Sequence, residues 1–332
     1  MRSLLRVTII CILLSFCINS IAQNKATVNK SHRMDREVEI IYDNDLYYGS
    51  DRYYTSGSNA AYSRLIKSRS KFYRQFRSKR SDSLKVITRY HYGHQIYTPD
   101  GIRSIDFEQF DRPYAGWHYL RFQTLNFPGE NTANKYGIEL GLVGSMSGVG
   151  NFQQWWHEAF GILQPRGWEY EIRNEVVMNL SYNRIKNWKL AKKIKIMTNS
   201  AIQLGNGKNK VGQEVLLRLG KFNDIMNSAI INSRVSDLIP KIGVYPGDGE
   251  EGFAFFSINA DYVLSDILIE GSLFNDDSPH TEEINHLVFT QKIGFVYSNY
   301  YTTFSFTAYR IGEEVVGGRI HRYLSLSLAF RF

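Results

Sequence analysis

Beyond the N-terminal region, apolar and polar residues alternate with a period of two in segments of about ten residues, the signature of strands with two unlike faces. The last segment is the most regular. Leu324, Leu326, Leu328, Phe330 and Phe332 fall on one side, and Tyr323, Ser325, Ser327, Ala329 and Arg331 on the other. Phe256, Ile258, Ala260, Tyr262 and Leu264 form a second apolar face, with Ser257, Asn259 and Asp261 opposite. Val215, Leu217 and Leu219, then Phe304 and Phe306, repeat the pattern. Strands are expected near residues 36–42, 54–66, 84–96, 117–127, 134–146, 170–182, 189–204, 208–222, 253–264, 286–299, 301–311 and 321–332. An apolar outside, a polar inside and an even count of twelve strands predict an all-β fold, a single antiparallel transmembrane β-barrel. Taken alone, the C-terminal segment would also suit an edge strand of a soluble sandwich.

The N-terminus separates those two readings. Arg2 and Arg6 precede an apolar run from Val7 to Ile18, and Ser20-Ile21-Ala22 is a small-residue cleavage site before Gln23. Residues 1–22 therefore read as an export signal and 23–332 as the barrel. Cys11 and Cys17 both lie in the signal, so the mature chain has no disulfide and no thiol chemistry. No apolar run of about 18 residues follows, which excludes a helical membrane protein. With 14% aromatic residues and a mean hydropathy of -0.32, the chain suits the outer membrane of a Gram-negative bacterium. A secreted all-β protein is the alternative.

The formal charge of +8 falls to +6 when Arg2 and Arg6 leave with the signal. Such a surface favours anionic partners, lipopolysaccharide phosphates among them. No nucleic-acid motif accompanies the charge. The densest basic cluster, Lys67 to Arg80, reads as a solvated turn.

With both termini in the periplasm, the connections after odd-numbered strands all emerge outside. Residues 43–53, 97–116 and 147–169 follow the first, third and fifth strands, and should therefore meet at one rim facing the outer leaflet. The connection from about 223 to 252 follows the eighth strand and should be a short turn. Instead it is long and partly apolar (Ile225, Met226, Ile230, Ile231, Leu238, Ile239), so it holds a small periplasmic helix or the strand count is off.

These rim segments carry the candidate chemistry. Asp43, Asn44, Asp45 and Asp51 concentrate hard oxygen ligands suited to calcium, or form an Asx-type turn. Residues 148–161 break the strand period and fit a helix of about three turns. On it, Phe152, Trp156 and Phe160 share a face, while Gln153 and His157 stand one above the other. His157 could be a general base near neutral pH or an ordinary packing residue. No cysteine and no Gly-x-Ser-x-Gly elbow is available, so hydrolysis here would use water rather than a covalent intermediate. Arg103 and Arg112 could reach phosphates, or Asp111 and Arg112 could fix a turn.

Asn44-Asp45, Asp51-Arg-Tyr-Tyr-Thr-Ser-Gly57, Gly93-x-Gln-Ile-Tyr-Thr-Pro-Asp100, Asp111-Arg-Pro-Tyr-Ala-Gly116, Gln153-x-x-x-His157 and Gly167-Trp168 together resemble the LpxR-type lipid A 3'-O-deacylases. The resemblance spans about residues 36–180 by motif and rests beyond that on the barrel pattern. It implies a twelve-stranded outer-membrane enzyme, a monomer, that hydrolyses the 3'-acyloxyacyl ester of lipid A with Ca2+. His157 would match the water-activating histidine and Gln153 the glutamine beside it. Asn44, Asp45 and Thr55 would match the polar residues around the metal and the oxyanion. A family lysine has no equivalent, Ser104 and Arg103 lying near its place, and an acidic residue after the histidine falls near Leu163. An outer-membrane phospholipase and a non-catalytic porin or anchor are the competing functions.

Overall fold

The computed structural model of the chain describes residues 34–67, 70–76, 85–102, 104, 106–236 and 249–332. The export signal at 1–22, Arg103, Leu238 and Ile239, and part of the basic cluster lie outside the described residues. Twelve strands close into one antiparallel barrel: β1 Arg36–Asn44, β2 Tyr53–Leu65, β3 Val86–Thr98, β4 Ala115–Gly129, β5 Thr132–Val143, β6 Glu175–Ala191, β7 Ile194–Gly205, β8 Lys208–Lys221, β9 Glu251–Asp266, β10 Leu287–Ser298, β11 Thr302–Ile311 and β12 His321–Arg331. Closure pairs β1 with β12 from Glu37↔Arg331 to Asn44↔Leu324, which leaves neither strand an open edge. Among the described residues three short helices, α1 Lys71–Phe76, α2 Val149–Phe160 and α3 Ile267–Glu270, sit in connections.

Alternation sets the two faces of the wall. Ile258, Leu264 and Phe304 are exposed outward at 44%, 54% and 43%, whereas Ser257, Ser327 and Arg331 are buried inside. Ion pairs neutralise several interior charges, with Arg89 2.5 Å from Glu39, Lys292 2.8 Å from Glu214 and Arg331 2.5 Å from Glu37. Pairing offsets the heavy desolvation of each charge, though it adds little net stability. A cavity of about 400 Å³ remains in the lumen, lined in part by Glu39, Asn59, His91, Lys135, Glu214 and Tyr309.

The sixth and seventh strands differ from the expected 170–182 and 189–204. The β6 strand starts later because Trp168–Tyr170 form a 3-10 turn after Gly167, whose φ of 110° favours glycine. It continues to Ala191 because Arg184 and Lys186 merely interrupt the apolar face, which resumes at Trp188 and Leu190.

The long connection after β8 contains 3-10 turns at Ile225–Asn227 and Ala229–Ile231 rather than an α-helix, and the strand count of twelve stands. It folds into the end of the barrel. Ile225, Ile231 and Val235 pack against inward-facing Ile185, Met197, Leu216, Phe253 and Phe255. This apolar floor is why alternation weakens on those strands: a covered interior no longer has to be polar. Glu251 locks the floor by accepting from Asn223 N and Ser228 Oγ at 3.2 and 3.0 Å.

Candidate active site

The segments after β1, β3 and β5 meet at one rim. Thr98 Oγ1 reaches the Asp51 carbonyl at 3.4 Å, Tyr53 OH donates to Asp111 Oδ2 at 2.7 Å, and Arg166 N donates to the Ile102 carbonyl at 2.7 Å.

The β1–β2 turn presents Asp45. Asn44 Oδ1 accepts from Leu46 N at 2.7 Å, an Asx-type turn that starts the 3-10 turn Leu46–Tyr48. Asp45 is 1% exposed; Ser50 Oγ and Arg52 N donate to its Oδ2 at 2.8 and 3.1 Å. Strand β2 bulges between Tyr54 and Ser56, and the unpaired residue is Thr55. A bulge re-aims one side chain out of the alternation. Tyr54 OH donates to Asp43 Oδ2 at 2.7 Å, whereas Thr55 Oγ1 lies 2.6 Å from Asp51 Oδ1 and 3.1 Å from Asp45 Oδ1. Burial, reinforced by the charge of Asp51, pushes the Asp45 carboxyl up to about 7, against the hydrogen bonds it accepts.

Helix α2 supplies the other half. The positive φ of Gly148 and Gly161, 69° and 63°, bounds it, and the C-terminal cap has Ile162 N donating to the His157 carbonyl at 2.8 Å. That reversal brings the Leu163 carbonyl within 2.5 Å of His157 Nδ1. A carbonyl only accepts, so Nδ1 carries the proton and Nε2 presents its lone pair. Nε2 stands 3.9 Å from Asp51 Oδ2. One turn earlier, Gln153 Oε1 accepts from Trp168 Nε1 at 2.9 Å, which leaves its amide hydrogens to act as donors.

The helix is seated with its polar side inward: Gln153 and His157 are 3% and 6% exposed, Trp155 58%. Close approach requires glycine, because a Cβ on Gly150 would stand 2.7 Å from the Trp168 ring. Ile96, Phe110, Tyr114, Val149 and Trp168 form the core beneath. Burying each large side chain contributes about 1.5–3 kcal/mol. The Phe152, Trp156 and Phe160 face lies on the other side of the helix, Phe152 against His94 of the barrel wall and Trp156 and Phe160 tilted together at 4.4 Å between centroids. With Leu46, Tyr47 and Met146, exposed at 54–58%, it extends the apolar outer wall around the site.

Asp45, Thr55 and His157 thus join one chain of contacts through Asp51, with Gln153 beside it. Asp51 stood in the acidic cluster and at the head of the Asp51–Gly57 motif with no role of its own assigned, and composition alone did not separate it from Asp43, whose side chain faces inward to Tyr54. Arg112 does not reach out to phosphates. It is 1% exposed, 3.4 Å from Glu314, with its guanidinium 4.5 Å from the Tyr97 ring centroid. Asp111 does not pair with it and instead accepts from Asp100 N at 2.8 Å. Near the expected acidic position, the Leu163 backbone rather than a side chain holds the histidine. Glu171 has a buried Oε2 without a partner, and burial raises its carboxyl to about 7.

Among the described residues no group of three or more His, Cys, Asp or Glu could hold a metal alone. The donor chemistry nevertheless fits calcium: Asp45, Asp51 and Thr55 bring hard oxygens together. The single Thr55 proton cannot satisfy both carboxylates at once.

Comparison with known proteins agrees with this architecture. LpxR from Salmonella typhimurium has a similar fold, with a TM-score of 0.67 at 17% identity over 89% of this chain and 100% of that one. The β domain of the Bordetella autotransporter BrkA reaches a TM-score of only 0.41 at 7% identity, covering 90% and 98% of the two chains. The translocator domain of NalP from Neisseria meningitidis also reaches 0.41, at 8% identity, covering 98% and 97%. No curated protein sequence matches. A family model described as outer membrane protein LpxR matches residues 7–332, and the chain belongs to that family of outer-membrane proteins.

Proposed function

We propose that this barrel hydrolyses the 3'-acyloxyacyl ester of lipid A at a rim facing the outer leaflet, with His157 activating the attacking water. The observation that carries the reading is the locked tautomer of His157, whose basic Nε2 faces the Asp51–Thr55–Asp45 cluster. Family membership and the lipid-facing aromatic border of the site support a lipid ester as substrate.

Each residue then has a defined task. His157 Nε2 takes a proton from water as its oxygen bonds to the ester carbonyl carbon. The resulting imidazolium, held near Asp51, returns that proton to the departing sugar oxygen as the carbon–oxygen bond breaks. Gln153, its oxygen held by Trp168, donates an amide hydrogen toward the developing oxyanion. Asn44, its oxygen engaged by Leu46 N, offers its amide hydrogens as a further donor to the oxyanion. Asp45, Asp51 and Thr55 would hold calcium, which when bound polarises the ester carbonyl.

Mass spectrometry of lipid A from cells expressing wild type or His157→Ala, with and without a calcium chelator, tests this. Loss of the 3' acyl group only with wild type and available calcium is expected. Unchanged lipid A alongside hydrolysed phospholipid would replace the proposal with glycerolipid hydrolysis. No change in either lipid would leave a non-catalytic barrel.

A further inference from the structure

We propose that His94 and His118 form a binding site for a divalent transition metal, zinc being the probe of choice, on the outer wall beneath α2. Strands β3 and β4 place His94 directly opposite His118. Both occupy the outward-facing set of their strands, in line with Tyr92 and Leu120, which are 51% and 61% exposed. Their ring centroids are 6.4 Å apart. The Nε2 atoms of both are buried without a hydrogen-bond partner.

The tautomer of His118 is set by its surroundings. Its Nδ1 donates to the Ser147 carbonyl at 3.1 Å, so Nε2 carries the lone pair. An imidazole whose second nitrogen is held by a backbone carbonyl is the usual orientation of a metal ligand. Aromatic rings wall the pair, Phe152 at 5.0 Å from His94 and Tyr92 at 4.8 Å from His118. Buried nitrogens left unpaired are costly, and one shared Lewis acid satisfies both.

Imidazole nitrogen suits zinc, copper and nickel, and does not suit calcium. Zinc–nitrogen bonds of about 2.0–2.1 Å require the rings to approach by roughly 1 Å, within reach of small side-chain rotations. Ser58, paired opposite His94 from β2, lies on the same row, and water completes the coordination. With two imidazoles as the anchoring ligands, the affinity belongs in the micromolar range rather than that of closed structural zinc sites. The ion would clamp the start of α2, through Ser147 and Phe152, against the wall. The site is separate from the Asp45–His157 cluster and does not depend on the reaction proposed there.

Calorimetric titration of the detergent-purified barrel with zinc, paired with cobalt absorption spectra, tests the site. One equivalent should bind in wild type and persist in His157→Ala. His94→Ala and His118→Gln should each weaken it at least tenfold while keeping folded-barrel mobility on unheated gels. Zinc uptake that survives both substitutions overturns the proposal. So does the lack of any uptake at about 100 μM zinc, where a micromolar site is saturated; the pair would then hold only water.

Discussion

His157 Nε2 lies 3.9 Å from Asp51 Oδ2, although the two side chains reach the rim from different connections of the barrel. In the proposed reaction a carboxylate there would stabilise the imidazolium formed when His157 takes a proton from water, while the Leu163 carbonyl independently fixes the tautomer. Asp51→Asn, which removes both this charge and one of the oxygens offered to calcium, should therefore lower kcat by at least about 10–100-fold, against about 10²–10⁴-fold for His157→Ala. Deacylation rates in mixed micelles measure the contrast. Equal rates for Asp51→Asn and wild type would remove Asp51 from the site.

Gly150 is where α2 touches Trp168. A methyl group there meets the indole 2.7 Å away, and the ring also holds Gln153 through Nε1. Gly150→Ala should destabilise the helix seat by about 1–3 kcal/mol through overpacking. It should lower activity while leaving the strands intact. Circular dichroism with kinetic assays would show an unchanged β-spectrum and a fall in kcat.

Glu171 makes stability depend on pH. Burial raises its carboxyl from the ordinary 4.5 to about 7, so the folded protein favours the protonated form. A raised carboxyl is neutral and harmless below the unfolded value, and its stabilising contribution disappears as pH rises through 7. Wild type should lose thermal stability between about pH 4.5 and 7 relative to Glu171→Gln. Melting curves of the two proteins across that window should diverge; parallel curves would contradict the assignment.

The floor built from residues 223–236 packs into one end of the lumen, with Glu251 as its polar lock. Planar-bilayer recordings should find wild type silent. Glu251→Ala strips the hydrogen bonds from Asn223 and Ser228, and should admit intermittent ion conductance by letting the floor detach. Steady wild-type currents would show that the floor does not seal the barrel.

Much of this was legible along the chain. Lipid requires an apolar exterior and each strand reverses its side chains at every residue, so the alternation from Leu324 to Phe332, repeated along the chain and joined to the export signal, reveals both the barrel and its faces. Antiparallel order then places the connections after β1, β3 and β5 at a common rim, and the placement of Asp45, Thr55, Gln153 and His157 follows. What alternation could not convey is where it breaks. The bulge that turns Thr55 toward Asp51 is a local departure from pairing, visible only against β3. Arg112 looks like a free cation in sequence, yet Glu314, distant along the chain, draws it inside. The inward phenylalanines of β9 contradict the polar-interior rule until the folded 223–236 segment covers them. Periodicity is a property of one strand against its solvent, and so the sequence determined the wall. Bulges, buried pairs and the floor depend on residues far apart in the chain meeting in space, and only the closed tertiary structure decided those.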